Sequence, residues 1–304
     1  SSATVRDSVR QIQRLLGRPS AIFPPRGITA SDSMFATEER QDATARLYMG
    51  VMAQGLRATS AAHWTSAAIL QSVRSLAGAR DSLSQLDFLW SLLCYCNSKR
   101  ELGLINGAVT QEVFERMRVY AAALGDDPES IEPLKKEEVS ADGVESISQT
   151  RKNLLAQIAQ DDRGDAVDFV PCTNMISVGI DIDRLGLMMV NGQPKTTAEY
   201  IQATSRVGRS PIEKGPGLVM TLYSPAKPRD RSHYEHFRAY HSCLYRLVEP
   251  TSVTPGSEQA LDKALHAAVI TVVRHGVESM LKNSAADHFS LMDSEINGMV
   301  DFLR

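Results

Sequence analysis

Paired cysteines, long apolar runs and a phosphate-binding loop are all missing from this sequence. Its four cysteines, Cys94, Cys96, Cys172 and Cys243, form no C-x-x-C pairs, so a structural zinc site is not expected. Cys94 and Cys96 alternate within an apolar run and read as strand residues, and free, scattered thiols fit a reducing cytoplasm. No apolar run reaches the roughly 18 residues of a membrane span. No basic start leads into an apolar core, as a signal peptide would have it. No membrane partner is expected. The net charge is −3, so any nucleic-acid contact has to be a local groove and not a global field. Neither G-x-x-x-x-G-K-[ST] nor D-E-x-x occurs. Without the loop's backbone and lysine, and the acidic residue for magnesium, the chain alone is not expected to hydrolyse ATP. It begins at Ser1 and not at methionine, which reads as a piece of a longer protein whose missing motifs lie upstream.

What is present looks like an ordinary soluble domain: 43% of the 304 residues are hydrophobic and 23% charged, enough for one large domain or two modest ones. Helical spacing covers Val5 to Leu16. A linker with Pro24-Pro25 and Gly27 follows, and polar residues run on to about Asp42. Strands are then expected at Arg46–Met52, Leu89–Cys96, Glu138–Ser140, Val167–Cys172, Leu187–Val190 and Leu218–Tyr223. Helices are expected between them at Thr59–Leu76, Val109–Ala123 and Thr150–Gln160. Strands alternating with helices argue for a parallel sheet covered on both faces. Beyond Pro225 only helices are expected, at 231–248, 257–283 and about 286–303. This gives a tail and linker over 1–45, an α/β domain over 46–225 and a helical extension over 226–304.

The chemistry concentrates between Val167 and Arg209. A buried strand ends in the polar turn from Thr173 to Asp181, and ligands of open α/β sheets bind at the carboxyl ends of strands. Thr173 and Asn174 offer a hydroxyl, an amide and backbone N–H groups for a phosphate. Gly179 allows close backbone approach, and Asp181 can accept a ribose hydroxyl. The bland alternative is a capped strand-to-helix turn. After the next strand, Thr196 and Glu199 form a capping-box pattern that starts a helix. Gln202 and Arg206 lie four apart on it, and Arg209 follows Gly208. Two arginines beside a glutamine suit an anionic ligand, although a solvated basic face has the same pattern.

Together the blocks are more specific. Thr173–Asp181 resembles motif V, and Gln202-Ala203-Thr204-Ser205-Arg206-Val207-Gly208-Arg209 resembles motif VI, Q-x-x-G-R-x-G-R, of superfamily 2 helicases. Ser2-Ala3-Thr4 resembles motif III, and Asn97–Glu101 after its strand resembles the motif IV region. Ser205 departs from the usual glycine of motif VI, and Asp183 from the usual proline of motif V. The run Asn191-Gly192-Gln193-Pro194-Lys195-Thr196-Thr197-Ala198-Glu199-Tyr200 also resembles a narrower group, the helicase subunits of the DISARM phage-defence system.

The resemblance implies an α/β, RecA-like second motor domain with a C-terminal helical extension. It implies ATP with Mg bound jointly with an upstream RecA-like domain. Arg209 would be the arginine finger, with Arg206 beside it. Gly179, Asp181 and Gln202 would meet the nucleotide. Thr173, Asn174 and Ser98 would hold a nucleic acid, in the first instance single-stranded DNA. Ser2 and Thr4 would couple hydrolysis to strand movement. Other DISARM subunits are implied partners, and no metal is expected to be held by this chain's own side chains. A nucleic-acid clamp without turnover and a protein-interaction module remain as rival functions. Lys227, Arg229, Arg231, Arg238 and three histidines, with Tyr234, Phe237 and Tyr240, read either as a nucleic-acid surface or as an amphipathic helix with its aromatics on the sheet. The spacing of His233, His236 and His241 is not a metal signature. The helix over Glu258–Val273 reads as core or subunit contact.

Overall fold

The structure, a computed structural model, describes residues 6–23, 45–78, 86–139, 147–158, 164–173, 182–210, 215–250, 253–290 and 293–302. They form two compact units, one within 38–249 and one joining residues of 6–37 to those of 250–304.

The first unit is built on five parallel strands: β1 (Arg46–Met52), β2 (Leu92–Cys96), β3 (Phe169–Cys172), β4 (Leu187–Asn191) and β5 (Gly217–Tyr223). Their spatial order is β1-β5-β4-β2-β3. A parallel neighbour can be reached only by a crossover. The crossover helices are α2 (Ala58–Gly78), α3 (Asp87–Trp90), α4 (Lys99–Ala108), α5 (Phe114–Leu124), α6 (Ile147–Leu155) and α7 (Thr197–Thr204). Period-two alternation decides which face each strand residue serves. Leu92, Cys94 and Cys96 join one apolar core with residues of α2, α4 and α5. Leu93 and Tyr95 join the other with Leu154, Tyr200 and Ile201. Every residue of β2 is therefore buried, as a central strand covered on both faces must be.

Some local expectations change. Asp87–Trp90 forms one helical turn ahead of β2, not the start of the strand. A short buried apolar run does not distinguish the two by periodicity. Here the turn is held by polar anchors: Trp90 Nε1 donates to Asp168 at 2.8 Å, and Arg184 grips the Asp87 carboxylate at 2.9 Å. The helix expected from Val109 begins at Lys99 and runs on to Leu124 through a π-helical turn at Val109–Val113. The strand expected at 138–140 reduces, in its described part, to a bridge between Val139 and Cys172.

The single helix expected over 231–248 is broken into α8 (Pro228–Glu235), α9 (Phe237–Ser242) and a 3₁₀ turn, Leu244–Leu247. All three lie within the first unit, which runs to Glu249. Phe237 packs so closely on β1 that a Cβ on Gly50 would come within 2.9 Å of its ring. Glu249 accepts hydrogen bonds from the Thr197 backbone N–H and hydroxyl at 2.9 and 3.1 Å.

The second unit holds α1 (Ser8–Leu16), α10 (Glu258–Gly276) and α11 (Ser294–Phe302). Its small core is Val273, Val277, Met280, Ala285 and Ile296. α1 buries none of its residues. Among the described residues, no helix is long and apolar enough to cross a membrane.

Candidate nucleotide and nucleic-acid sites

α7 starts as its sequence dictates. Thr196 is the N-cap, and its side chain accepts from Glu199 N. The reciprocal half of a capping box is not made, because the Glu199 carboxylate instead accepts a 2.5 Å hydrogen bond from Tyr95 OH. That bond, after burial, helps push the Tyr95 phenol far above its ordinary range. α7 ends at Thr204, so the helical face expected to carry both Gln202 and Arg206 stops short of Arg206, and Arg209 lies off the helix. Gln202 is exposed on the last turn of the helix, and Arg206 and Arg209, both half-buried, lie in the turn that follows.

This turn is fixed at the amino edge of the sheet. Gly208 N donates to Leu185 O, just ahead of β4. A Cβ on Gly208 would stand 2.6 Å from Ala45 O and 2.8 Å from Gly217 N, and its φ is +64°. Both demands call for glycine. Ser205, at the other glycine position of the motif, has φ −68° and ψ −4°, which any residue adopts. The departure from the motif therefore costs nothing in backbone terms. Arg209 Nε turns back to Ser205 O at 3.1 Å. Arg46, at the head of β1, donates Nε to Val207 O at 2.6 Å and Nη2 to Ser205 O at 3.3 Å. Three arginines thus converge on one turn. Burial pushes both Arg206 and Arg209 below the ordinary arginine value, and the Arg46 charge adds to this at Arg209. An anion placed here would relieve both effects.

The carboxyl edge is organised differently. Asp230, on α8 and almost fully buried, accepts from Gln193 N at 3.1 Å and from Ser224 N at 2.8 Å. The second amide beyond β4 and the first beyond β5 are therefore already bound to a carboxylate. Asn97 Nδ2 ties the β2 exit to the carbonyls of Asn191 and Gly192 at 2.8 and 3.0 Å. Lys227 Nζ pairs with Glu101 at 3.1 Å. Ser98 is exposed and caps α4 by accepting from Glu101 N. Thr173 follows β3 and is 7% exposed, with its N–H directed to Val139 O. β2 and β3 are neighbours, so Ser98 and Thr173 leave adjacent strands, at the opposite end of the sheet from the arginine turn. Asn174, Gly179, Asp181, Ser2 and Thr4 lie outside the described residues.

The comparisons with known proteins fit this geometry. Residues 92–211 match the helicase conserved C-terminal domain. They form a helicase C-terminal domain. The match spans the strand ahead of Ser98, both strands around Thr173 and the whole arginine turn. The chain is 35% identical over 306 residues to the DISARM protein DrmA of Bacillus paralicheniformis (strain ATCC 9945a / NCIMB 11709 / CD-2), covering 100% of this chain and 26% of that protein. It thus spans about a quarter of that relative's length. The structure of the DUF1998 helicase MrfA bound to DNA and AMPPNP superposes with a TM-score of 0.51 at 15% identity, over 88% of this chain and 30% of that one. That likeness shows the fold: a RecA-like parallel sheet with helices on both faces.

Within the first unit, the aromatic and basic stretch after β5 packs its aromatics on the sheet. Tyr240 is buried and hydrogen bonds to Thr197. Phe237 and Tyr234 pack edge-on against Tyr223. His241 donates Nδ1–H to Phe237 O at 2.8 Å, so its Nε2 accepts from Tyr200 OH at 3.0 Å. Burial holds its basicity below the ordinary histidine value. Arg46 and Asp230 are the functional-site residues that sequence patterns missed. Arg46 lies 161 positions from Val207, and no local motif signals such a contact.

Proposed function

We propose that this chain is the second motor half of an ATP-dependent superfamily 2 helicase or translocase, acting on DNA in the cytoplasm as part of bacterial phage defence. The observation that carries this reading is the arginine turn. A helicase C-terminal domain places two half-buried arginines at one sheet edge and braces them with backbone-to-backbone contacts.

Arg209, with Arg206 beside it, would meet the γ-phosphate of an ATP held across a cleft by an upstream RecA-like domain, stabilising the charge that develops there. The Arg46 charge near that of Arg209 in this turn fits a polyanion. In this reading Mg belongs to the upstream domain. Bound there, ATP with Mg supplies the phosphoryl-transfer chemistry, and such an arginine contributes about 10³ to 10⁵ in rate. Gln202, Gly179 and Asp181 would face the nucleotide's sugar and base.

Ser98, Thr173 and Asn174 would contact the backbone of a single strand, which makes movement along it largely independent of sequence. The exposure of Ser98 at the N-cap of α4 supports this reading. Ser2 and Thr4 would belong to the end of the first motor domain and couple the two events, with residues up to 45 as the linker. The same reading makes 46–225 the motor domain and 226–304 its helical extension. Other DISARM subunits would be partners.

The test is ATP hydrolysis by a longer protein that carries this chain with its upstream ATP-binding domain, with and without single-stranded DNA. Stimulation by the DNA is expected. Hydrolysis that ignores the DNA, or none at all, would leave a clamp or scaffold as the better account.

A further inference from the structure

Arg46 lies outside the residues that match the helicase domain, yet its side chain reaches the arginine turn, 161 positions away at Val207. It opens β1, an edge strand whose register pairs it with Gly217 of β5. Gly217 in turn donates its N–H to Ala45 O at 3.0 Å. The head of β1, the head of β5 and Gly208 are therefore packed backbone to backbone, with no room for a Cβ at Gly208. From this knot the Arg46 side chain reaches the two carbonyls that flank Arg206: Val207 O through Nε at 2.6 Å and Ser205 O through Nη2 at 3.3 Å. Ser205 O also receives Arg209 Nε at 3.1 Å. A carbonyl oxygen has two lone pairs, and here both are taken by guanidinium groups.

We infer that Arg46 is a positioning residue for the proposed arginine finger. By fixing the carbonyls on either side of Arg206 and sharing one with Arg209, it sets the directions in which both side chains leave the turn. This rests on the reading of Arg206 and Arg209 given above. The fork of a guanidinium suits two acceptors at once, whereas a lysine ammonium is a single point on a flexible stem. Geometry and charge can therefore be separated. Arg46→Lys keeps the charge and loses the fork, and Arg46→Gln loses the charge while keeping a shorter polar head.

The experiment is DNA-stimulated ATP hydrolysis by the longer protein, comparing wild type, Arg46→Ala, Arg46→Lys, Arg46→Gln, Arg209→Ala and the Arg46→Ala/Arg209→Ala pair. A misplacement of about 1 Å can cost about 10² in rate. Arg46→Ala and Arg46→Gln are thus expected to lose about that factor in kcat, with KM for ATP and the melting temperature close to wild type. Arg46→Lys should recover little of the loss. The double variant should lose less than the product of the two single losses, because Arg46 acts in part through Arg209.

The inference is overturned if Arg209→Ala is strongly impaired while the folded Arg46 variants hydrolyse ATP at the wild-type rate. It is overturned equally if the two losses multiply in the double variant, or if Arg46→Lys is fully active. Should Arg209→Ala itself behave as wild type, the reading of the turn fails, and the role of Arg46 fails with it.

Discussion

The two edges of the sheet solve the same problem with opposite charges. Each must pin loops that leave the ends of strands. At the carboxyl edge a carboxylate does it: Asp230 holds the amides of Gln193 and Ser224. At the amino edge a guanidinium does it: Arg46 holds the carbonyls of Ser205 and Val207. The consequence for function follows from the sign. The carboxylate occupies N–H groups that could otherwise have cradled a phosphate beyond β4 and β5. In the proposed reading, a nucleic-acid backbone meets that edge at the exits of β2 and β3, through Ser98 and Thr173. The guanidinium takes up carbonyl oxygens instead of amides, and its charge lies near that of Arg209, so the edge that it stiffens is positive and not negative.

The sharpest way to break this comparison is Arg209→Ala, expected to lower DNA-stimulated ATP hydrolysis of the longer protein by on the order of 10³. A loss of a few-fold would make the amino edge merely a scaffold. Next is Asp230→Ala. It strands two buried amides that were bound to a charge, and should cost about 3 kcal/mol of stability in urea unfolding. An unchanged midpoint would show that those amides were never committed. Gly208→Ala should cost about 2 kcal/mol, because alanine at that φ is strained and its Cβ meets Ala45 O. It should also impair hydrolysis beyond what its stability predicts. The smallest effect is expected of Ser98→Ala, about 1 kcal/mol for the lost N-cap. In addition, measured by fluorescence anisotropy, affinity for single-stranded DNA should fall several-fold. Intact affinity would confine Ser98 to its capping role.

Much of the frame was legible because it rests on short-range pattern. β1, β4 and β5 fall within a residue of where apolar runs and flanking turn residues put them. Thr196 caps α7 as its spacing from Glu199 suggests. What could not be read depends on partners far apart in the chain. The Leu89–Cys96 run splits into a helical turn and a strand because Asp87 and Trp90 meet Arg184 and Asp168, which lie 97 and 78 residues away. The end of α7 at Thr204 turned an expected helical stripe into a braced turn. Gly208 was legible as a motif letter, but its reason is an approach of three backbone segments visible only in the fold. Arg46 and Asp230 carried no local signal. Their roles arise from the register of β1 on β5 and from the packing of α8 beside the ends of β4 and β5.

The central claim is that Arg209 acts on charge that develops during phosphoryl transfer and not simply on bound nucleotide. Binding of ADP with aluminium fluoride, a mimic of the transferring group, should therefore be compared with binding of AMPPNP in the longer protein, wild type against Arg209→Ala. Transition-state stabilisation predicts a large loss for the fluoride complex and a small one for AMPPNP. Equal losses for the two ligands, or none for either, would contradict it.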